Sequence, residues 1–288
     1  MNNEKNKLKK ILAPGKLVIA PGVYDLISVK IASQMNFDCL YMTGYGTVAS
    51  YLGLPDAGLA TMTDMNNRVS AFCNATSKPV ICDGDTGYGG LLNVAHTVRA
   101  YEKSGAAAIQ LEDQEFPKKC GHTPGRRVIP AADMVKKIKV AVDARSNPDF
   151  LIIARTDART SLGLDEALRR GEQYARAGAD IIFIESPENE EEMWKIAKTI
   201  EKPLLINLVE TGRTPILPAA TLQEMGYAIA IYPALGFLAA GKALHNAYQH
   251  LATTHTSAGL ESMLYDFSDF NHLIGFPEVW EFDKKYAG

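Results

Sequence analysis

The chain has 288 residues, 47% of them hydrophobic and 22% charged, with 23 glycines, a balance that fits a folded globular protein and excludes a disordered or collagen-like one. Its formal net charge is −3, and Lys and Arg are interspersed with acids, so the electrostatic footprint of a nucleic-acid binder is missing and small molecules are the expected partners. The length exceeds the usual single-domain size, but α/β barrels of about 250 residues form one domain, so it does not demand two.

The opening stretch, MNNEKNKLKKILAPGKLVIAPG, is basic, and its short apolar runs are broken by Pro and Gly. It lacks a signal-peptide core, no later run reaches membrane-spanning length, and the expected location is the cytoplasm. Short β-rich runs then recur along the chain: LVIA at Leu17, CLYMT at Cys39, VICD at Val80, AIQLE at Ala108, FLIIAR at Phe150, IIFIE at Ile181, LLIN at Leu204 and AIAIY at Ala228. Between most of them lie helical patterns such as NVAHTVRAYEKSGA and LDEALRRGEQYARAGA, with Ala and Leu at three- and four-residue steps. Runs without polar alternation suit parallel strands covered on both faces, and eight of them predict a closed (β/α)8 TIM barrel. The segments EKSGAAAIQLED and ARAGADIIFIES echo one another, and Gly105 and Gly178 stand where a C′ residue of positive φ would stop each helix. Beyond the eighth strand, GFLAAGKALHNAYQHLATT reads as a helix, followed by an aromatic-rich helical tail too apolar to hang in water.

In a parallel barrel the chemistry gathers where the strands end. Strand two ends in Thr43, Gly44, Tyr45 and Gly46, strand three in Asp83, Gly84 and Asp85, strand four in Glu112 and Asp113, strand five in Arg155, Thr156 and Asp157, strand six in Glu185 and strand seven in Asn207. Asp83, Asp85 and Glu112 would repel one another unless protons or a cation offset them. Oxygen-only ligands on an open site favour Mg2+, with Mn2+ a close substitute; read alone, DGDTG is equally an acidic turn capping a helix. The TGYG glycines suit either a backbone nest for an anion or a plain tight turn. Arg155 at the end of an apolar strand needs an anion, whether Glu185, Asp157 or a substrate carboxylate.

The stretch FPKKCGHTPGRR leaves Cys120 several readings. A zinc site lacks two further ligands at usable spacing, and no second cysteine is near for a redox pair; Cys39, Cys73 and Cys82 are widely spaced, with no CxxC pair. The basic neighbours Lys118, Lys119, His122, Arg126 and Arg127 argue against burial of this segment.

Together and in order, MTGYGTVASYLGLPDAGL, DGDTGYGG, QLEDQEFPKKCGH and ARTDAR resemble the isocitrate lyase and phosphoenolpyruvate mutase superfamily over nearly the full length. The resemblance implies one (β/α)8 barrel domain over 1–288, with the tail 240–288 exchanged with a partner subunit in a homotetramer, a dimer of helix-swapped dimers. It implies a Mg2+-dependent site acting on 2-hydroxy or 2-oxo dicarboxylates, with no membrane or nucleic-acid partner. By position, Asp83 and Asp85 look like metal-binding acids, with Glu112 acting directly or through water. Thr43, Gly44 and Tyr45 look like the segment that binds the 2-oxo acid carboxylate, Arg155, Glu185 and Asn207 like substrate contacts, and Cys120 with Gly121 like the mobile catalytic loop. In the lyase branch that cysteine is the general acid, so KKCGH favours C–C cleavage, with Lys118, Lys119 and His122 tuning its proton. Tyr41 and Asp56 are both candidates for removing the hydroxyl proton. Methylisocitrate lyases carry an arginine where this chain has Leu238, and oxaloacetate hydrolases a serine where it has Pro233. The two departures point to a substituted malate such as 2,3-dimethylmalate, cleaved to propionate and pyruvate; oxaloacetate hydrolysis and carboxyphosphonoenolpyruvate rearrangement are the alternatives on the same scaffold.

Overall fold

A computed structural model describes residues 8–119 and 125–287, so Cys120, Gly121 and His122 lie outside the described residues. The chain divides into two compact units, the first ending at Leu235 and the second beginning at Gly236.

In the first unit the eight expected runs are eight parallel strands closed into a barrel in sequence order. They are β1 (Val18–Val23), β2 (Leu40–Met42), β3 (Val80–Asp83), β4 (Ala108–Glu112), β5 (Leu151–Thr156), β6 (Ile181–Ile184), β7 (Leu204–Asn207) and β8 (Ile229–Tyr232). The ring closes where Val18 of β1 pairs with Ile229 of β8. Every residue of β2 through β7 is buried, which is why these strands lack polar alternation.

Side chains still alternate between two cores. One set, including Tyr41, Ile81, Ala108, Leu151, Ile153, Ile181, Phe183 and Leu205, fills the barrel. The other, including Cys82, Ile109, Ile152, Ala154, Ile182 and Ile206, packs against the helical layer. Continuing the first set by its two-residue step leads directly to Thr43, Asp83, Glu112, Arg155, Glu185 and Asn207. The polar strand ends therefore share the barrel-facing parity, and hydrophobic alternation alone aims them at one mouth.

The connecting helices begin on the caps their sequences offer. Asp25 accepts from the Ser28 N–H (2.7 Å) ahead of Leu26–Gln34, and Asn189 from the Glu192 N–H (2.9 Å) ahead of Glu190–Thr199. Gly105 and Gly178 follow the helices Leu91–Lys103 and Leu164–Arg176 with φ of 96° and 107°, as their positions in the sequence predicted. The second unit carries most of the helix Leu235–Thr254, then Phe267–Ile274 and Phe276–Tyr286. Its aromatics meet one another, His272 against Trp280 at 5.7 Å and Phe282 against Tyr286 at 4.6 Å, while Phe267, Trp280 and Phe282 remain exposed in the single chain. Among the described residues no helix is long and apolar enough to cross a membrane.

Candidate active site

Two linked clusters occupy the strand ends. The first is built on β3. Asp83 closes the strand, and Asp85 follows in a left-handed conformation (φ 48°), strained for a residue other than glycine, with its N–H donating to Asp83 Oδ1 at 3.0 Å. Lys118, arriving from the segment after β4, places its ammonium 2.6 Å from Asp85 Oδ1 and also against Asp56. All of these side chains are buried.

That burial corrects the sequence reading of the basic segment. Lys118 and Arg126 are only 4% and 6% exposed, because each finds a buried carboxylate partner rather than water. Lys118, expected to tune the Cys120 proton, sits between Asp56 and Asp85, while Cys120 itself lies outside the described residues. Burial alone would lower its pKa, but Asp85 and Asp56 outweigh that and hold it well above the usual lysine range.

The second cluster is built on β4 to β7. Arg155 donates from Nε and Nη2 to the two oxygens of Asp157, both at 2.9 Å. Its guanidinium also approaches Glu112 (3.4 Å) and Glu185 (3.3 Å) and lies over the Phe183 ring. Two of the three partners left open for Arg155 are therefore present together: both Asp157 and Glu185 face it. Asn207 Nδ2 donates to Glu185 Oε2 at 3.1 Å, and Ser186 Oγ donates to Glu185 Oε1 at 3.0 Å.

The TGYG stretch is neither an isolated nest nor a plain turn. It is the first turn of the helix Gly44–Leu52, with Thr43 as its N-cap accepting from the Gly46 N–H. A Cβ on Gly44 would lie 2.6 Å from Asp83 Oδ2, so only glycine lets this helix end meet that carboxylate. Tyr45 is on the same turn and partly exposed. Tyr41 lies deeper in the barrel, donating from its hydroxyl to Gln110 Oε1 at 3.1 Å, and Gln110 Nε2 in turn donates to Asp83 Oδ1 at 3.4 Å. Burial holds the Tyr41 pKa well above the usual tyrosine range, which makes it a weak candidate for taking a proton. Pro233 follows β8 with its backbone against Gly22, where a Cβ would come within 2.5 Å of the Pro233 carbonyl oxygen. Leu238 belongs to the second unit.

The sequence reading did not single out Gln110, and it named Asp113 and Arg126 without their partners. Gln110 is a fully buried polar residue inside an apolar strand at barrel-facing parity, which was a readable signal. Asp113 and Arg126 gave none, since their partners are distant in sequence. Asp113, at the opposite parity, accepts from Thr156 Oγ1 (2.7 Å), the Asp157 N–H (2.9 Å), Arg170 (2.9 Å) and Tyr174 (2.7 Å).

The donor set fits a hard divalent cation held largely by water and substrate oxygens. No trio of His, Cys, Asp or Glu among the described residues is arranged to hold a metal ion by itself. The buried carboxylates of Asp56, Asp83, Asp85, Glu112, Asp157 and Glu185 nevertheless outnumber the buried cations Lys118, Arg126 and Arg155. Glu112 Oε1 is buried and, among the described residues, accepts no hydrogen bond. Burial raises the pKa of Asp83 and of Glu112, and pushes Asp85 up to about 7, as befits acids short of positive charge. Mg2+ with two carboxylates and retained waters matches that deficit.

The model of one protein family, phosphoenolpyruvate phosphomutase, matches residues 8–252. The chain is 51% identical over 285 residues to 2,3-dimethylmalate lyase of Eubacterium barkeri, covering 99% of each chain. It is 41% identical over 280 residues to 2-methylisocitrate lyase of Aeropyrum pernix, covering 97% of this chain and 90% of that one. Among solved structures, a phosphonopyruvate hydrolase in complex with oxalate and Mg2+ superposes with a TM-score of 0.89 at 30% identity, covering 99% of each chain.

Proposed function

The chain belongs to the phosphoenolpyruvate phosphomutase family, within the isocitrate lyase and phosphoenolpyruvate mutase superfamily, and from that premise we propose that it is a Mg2+-dependent carbon–carbon lyase that cleaves 2,3-dimethylmalate to propionate and pyruvate. The observation that carries this reading is the convergence of Asp83, Asp85, Glu112, Arg155 and Glu185 on one barrel mouth, in a chain half identical over its length to a lyase of that name.

Asp83 and Asp85 would hold the Mg2+, with Glu112 reached through water, and when bound the ion would polarise the C2 oxygen and the adjacent carboxylate. The protein's own groups do the rest. The N–H groups of Gly44 and Tyr45 at a helix N-terminus bind that carboxylate, and Arg155, held in plane by Asp157, neutralises developing charge. Asp56, on the Lys118 ammonium, accepts the C2 hydroxyl proton; it is better suited than Tyr41, whose hydroxyl is committed to Gln110. Breaking C2–C3 leaves a carbanion equivalent on the propionate fragment, which Cys120, followed in sequence by Gly121 and His122, protonates. That role rests on the KKCGH sequence. Glu185 and Asn207 orient the substrate beside Arg155.

The exposed aromatics of the second unit support exchange of this tail with a partner in a helix-swapped homotetramer. The widely spaced, buried thiols Cys39, Cys73 and Cys82 support a reducing, cytoplasmic setting. A panel of malates, methylisocitrate, oxaloacetate and phosphonopyruvate, each incubated with enzyme and Mg2+, tests the reading. Cleavage confined to substituted malates is expected, and oxalate release from oxaloacetate without malate cleavage would overturn it.

A further inference from the structure

We propose that Arg126 is a positioning residue that, through Asp157, couples residues 125–129 to the aim of Arg155. The inference rests on the lyase reading, in which Arg155 faces the substrate carboxylate.

The connection runs through one carboxylate. Asp157 Oδ1 accepts from both Arg126 Nη1 (2.6 Å) and Arg155 Nη2 (2.9 Å), and its Oδ2 accepts from Arg155 Nε. The second arm of Arg126 donates to Thr160 Oγ1 at 2.8 Å, so its guanidinium spans the turn that follows β5. Arg126 itself stands just past the loop, and its side chain is almost wholly buried. The base of that loop is clamped: Gln114 bridges to Val128, and the Glu115 N–H donates to the Arg127 carbonyl at 2.8 Å. Arg170 adds a second tether, donating to both Asp113 and the Ile129 carbonyl.

Asp157 thus has two guanidinium partners with different duties. Arg155 uses it as a planar brace, and Arg126 uses it to anchor residues 125–129. Moving Arg126 would leave the shared oxygen with one donor instead of two and let the Asp157 carboxylate, which braces the Arg155 fork, shift from its position.

The test compares Arg126→Gln and Arg126→Lys with wild type in three readouts. The first is the KM and kcat for 2,3-dimethylmalate. The second is the Kd of oxalate with Mg2+, as a mimic of the 2-oxo acid carboxylates. The third is hydrogen exchange over residues 125–129 and 155–160. Arg126→Gln is expected to raise KM and the oxalate Kd roughly tenfold, as loss of a charge-assisted bond would, and to speed exchange in both segments. Arg126→Lys keeps the charge but not the fork, and should restore both constants to within about threefold of wild type. Unchanged KM and oxalate Kd in a folded Arg126→Gln protein, or no rescue by lysine, would overturn the proposal. A wild type that cleaves no malate but binds oxalate with an affinity that Arg126→Gln weakens would sink the lyase reading and leave this inference standing. If wild type neither cleaves nor binds, exchange decides: faster exchange in both segments upholds the coupling, and a change confined to 125–129 overturns it.

Discussion

The Lys118 ammonium is shared between the carboxylates of Asp56 and Asp85, and all three side chains are buried. Removing the cation leaves two buried acids without a partner. In metal-free protein, Lys118→Met should cost about 3–5 kcal/mol of stability, the usual penalty for breaking a buried pair. Saturating Mg2+ should reduce that loss, because a divalent ion on Asp85 supplies charge to the same cluster. Urea unfolding with and without Mg2+ measures both, and an equal loss in the two conditions would count against the ion's placement.

Metal removal should itself be visible without turnover. Protein stripped with EDTA and then given Mg2+ at about 100 times its Kd should gain about 2.7 kcal/mol. That corresponds to a rise in Tm of roughly 5–10 °C for a domain of this size. Asp85→Asn should lose most of the rise. An unchanged Tm in wild type on adding Mg2+ would remove the metal from the account.

Asp157 gives a pH dependence with a definite sign. Burial would raise its pKa, but Arg155 and then Arg126 outweigh it and hold the carboxyl below the usual range. A depressed folded pKa contributes stability that is fully present above the ordinary value of about 4 and is lost as pH falls through the folded value. The stability gap between wild type and Asp157→Asn should therefore be constant above about pH 5 and shrink as the solution is made more acidic. Denaturation series at several pH values check it, and a gap that widens toward low pH would reverse the sign.

Cys120→Ser should retain oxalate binding with Mg2+ while kcat for malate cleavage falls by roughly 100-fold or more, the usual contribution of a positioned general acid. The hydroxyl is a far weaker acid than the thiol, but it fills the same space. Calorimetry and a pyruvate assay separate the two effects. Undiminished cleavage would remove Cys120 as the proton donor.

The barrel was legible because each strand is an apolar run of the right length and each intervening segment carries a helical period. The mouth was legible by parity: stepping by two from Ile81 reaches Asp83, and from Leu151 through Ile153 reaches Arg155. What could not be read were pairings between side chains brought together only by closure of the ring. Lys118 looked like a solvated loop lysine until Asp56 and Asp85 appeared around it. Asp113 looked like a companion of Glu112, yet odd parity turns it outward to Arg170 and Tyr174. The TGYG stretch carried a turn signal strong enough to hide a helix start, because its glycine serves close approach to Asp83 rather than a turn.

The most direct test is a product assay on racemic 2,3-dimethylmalate with wild-type enzyme and Mg2+. Pyruvate and propionate should appear in equal amounts, and their formation should stop when EDTA is added. Neither product from 2,3-dimethylmalate, with the same preparation releasing oxalate from oxaloacetate, would contradict the account.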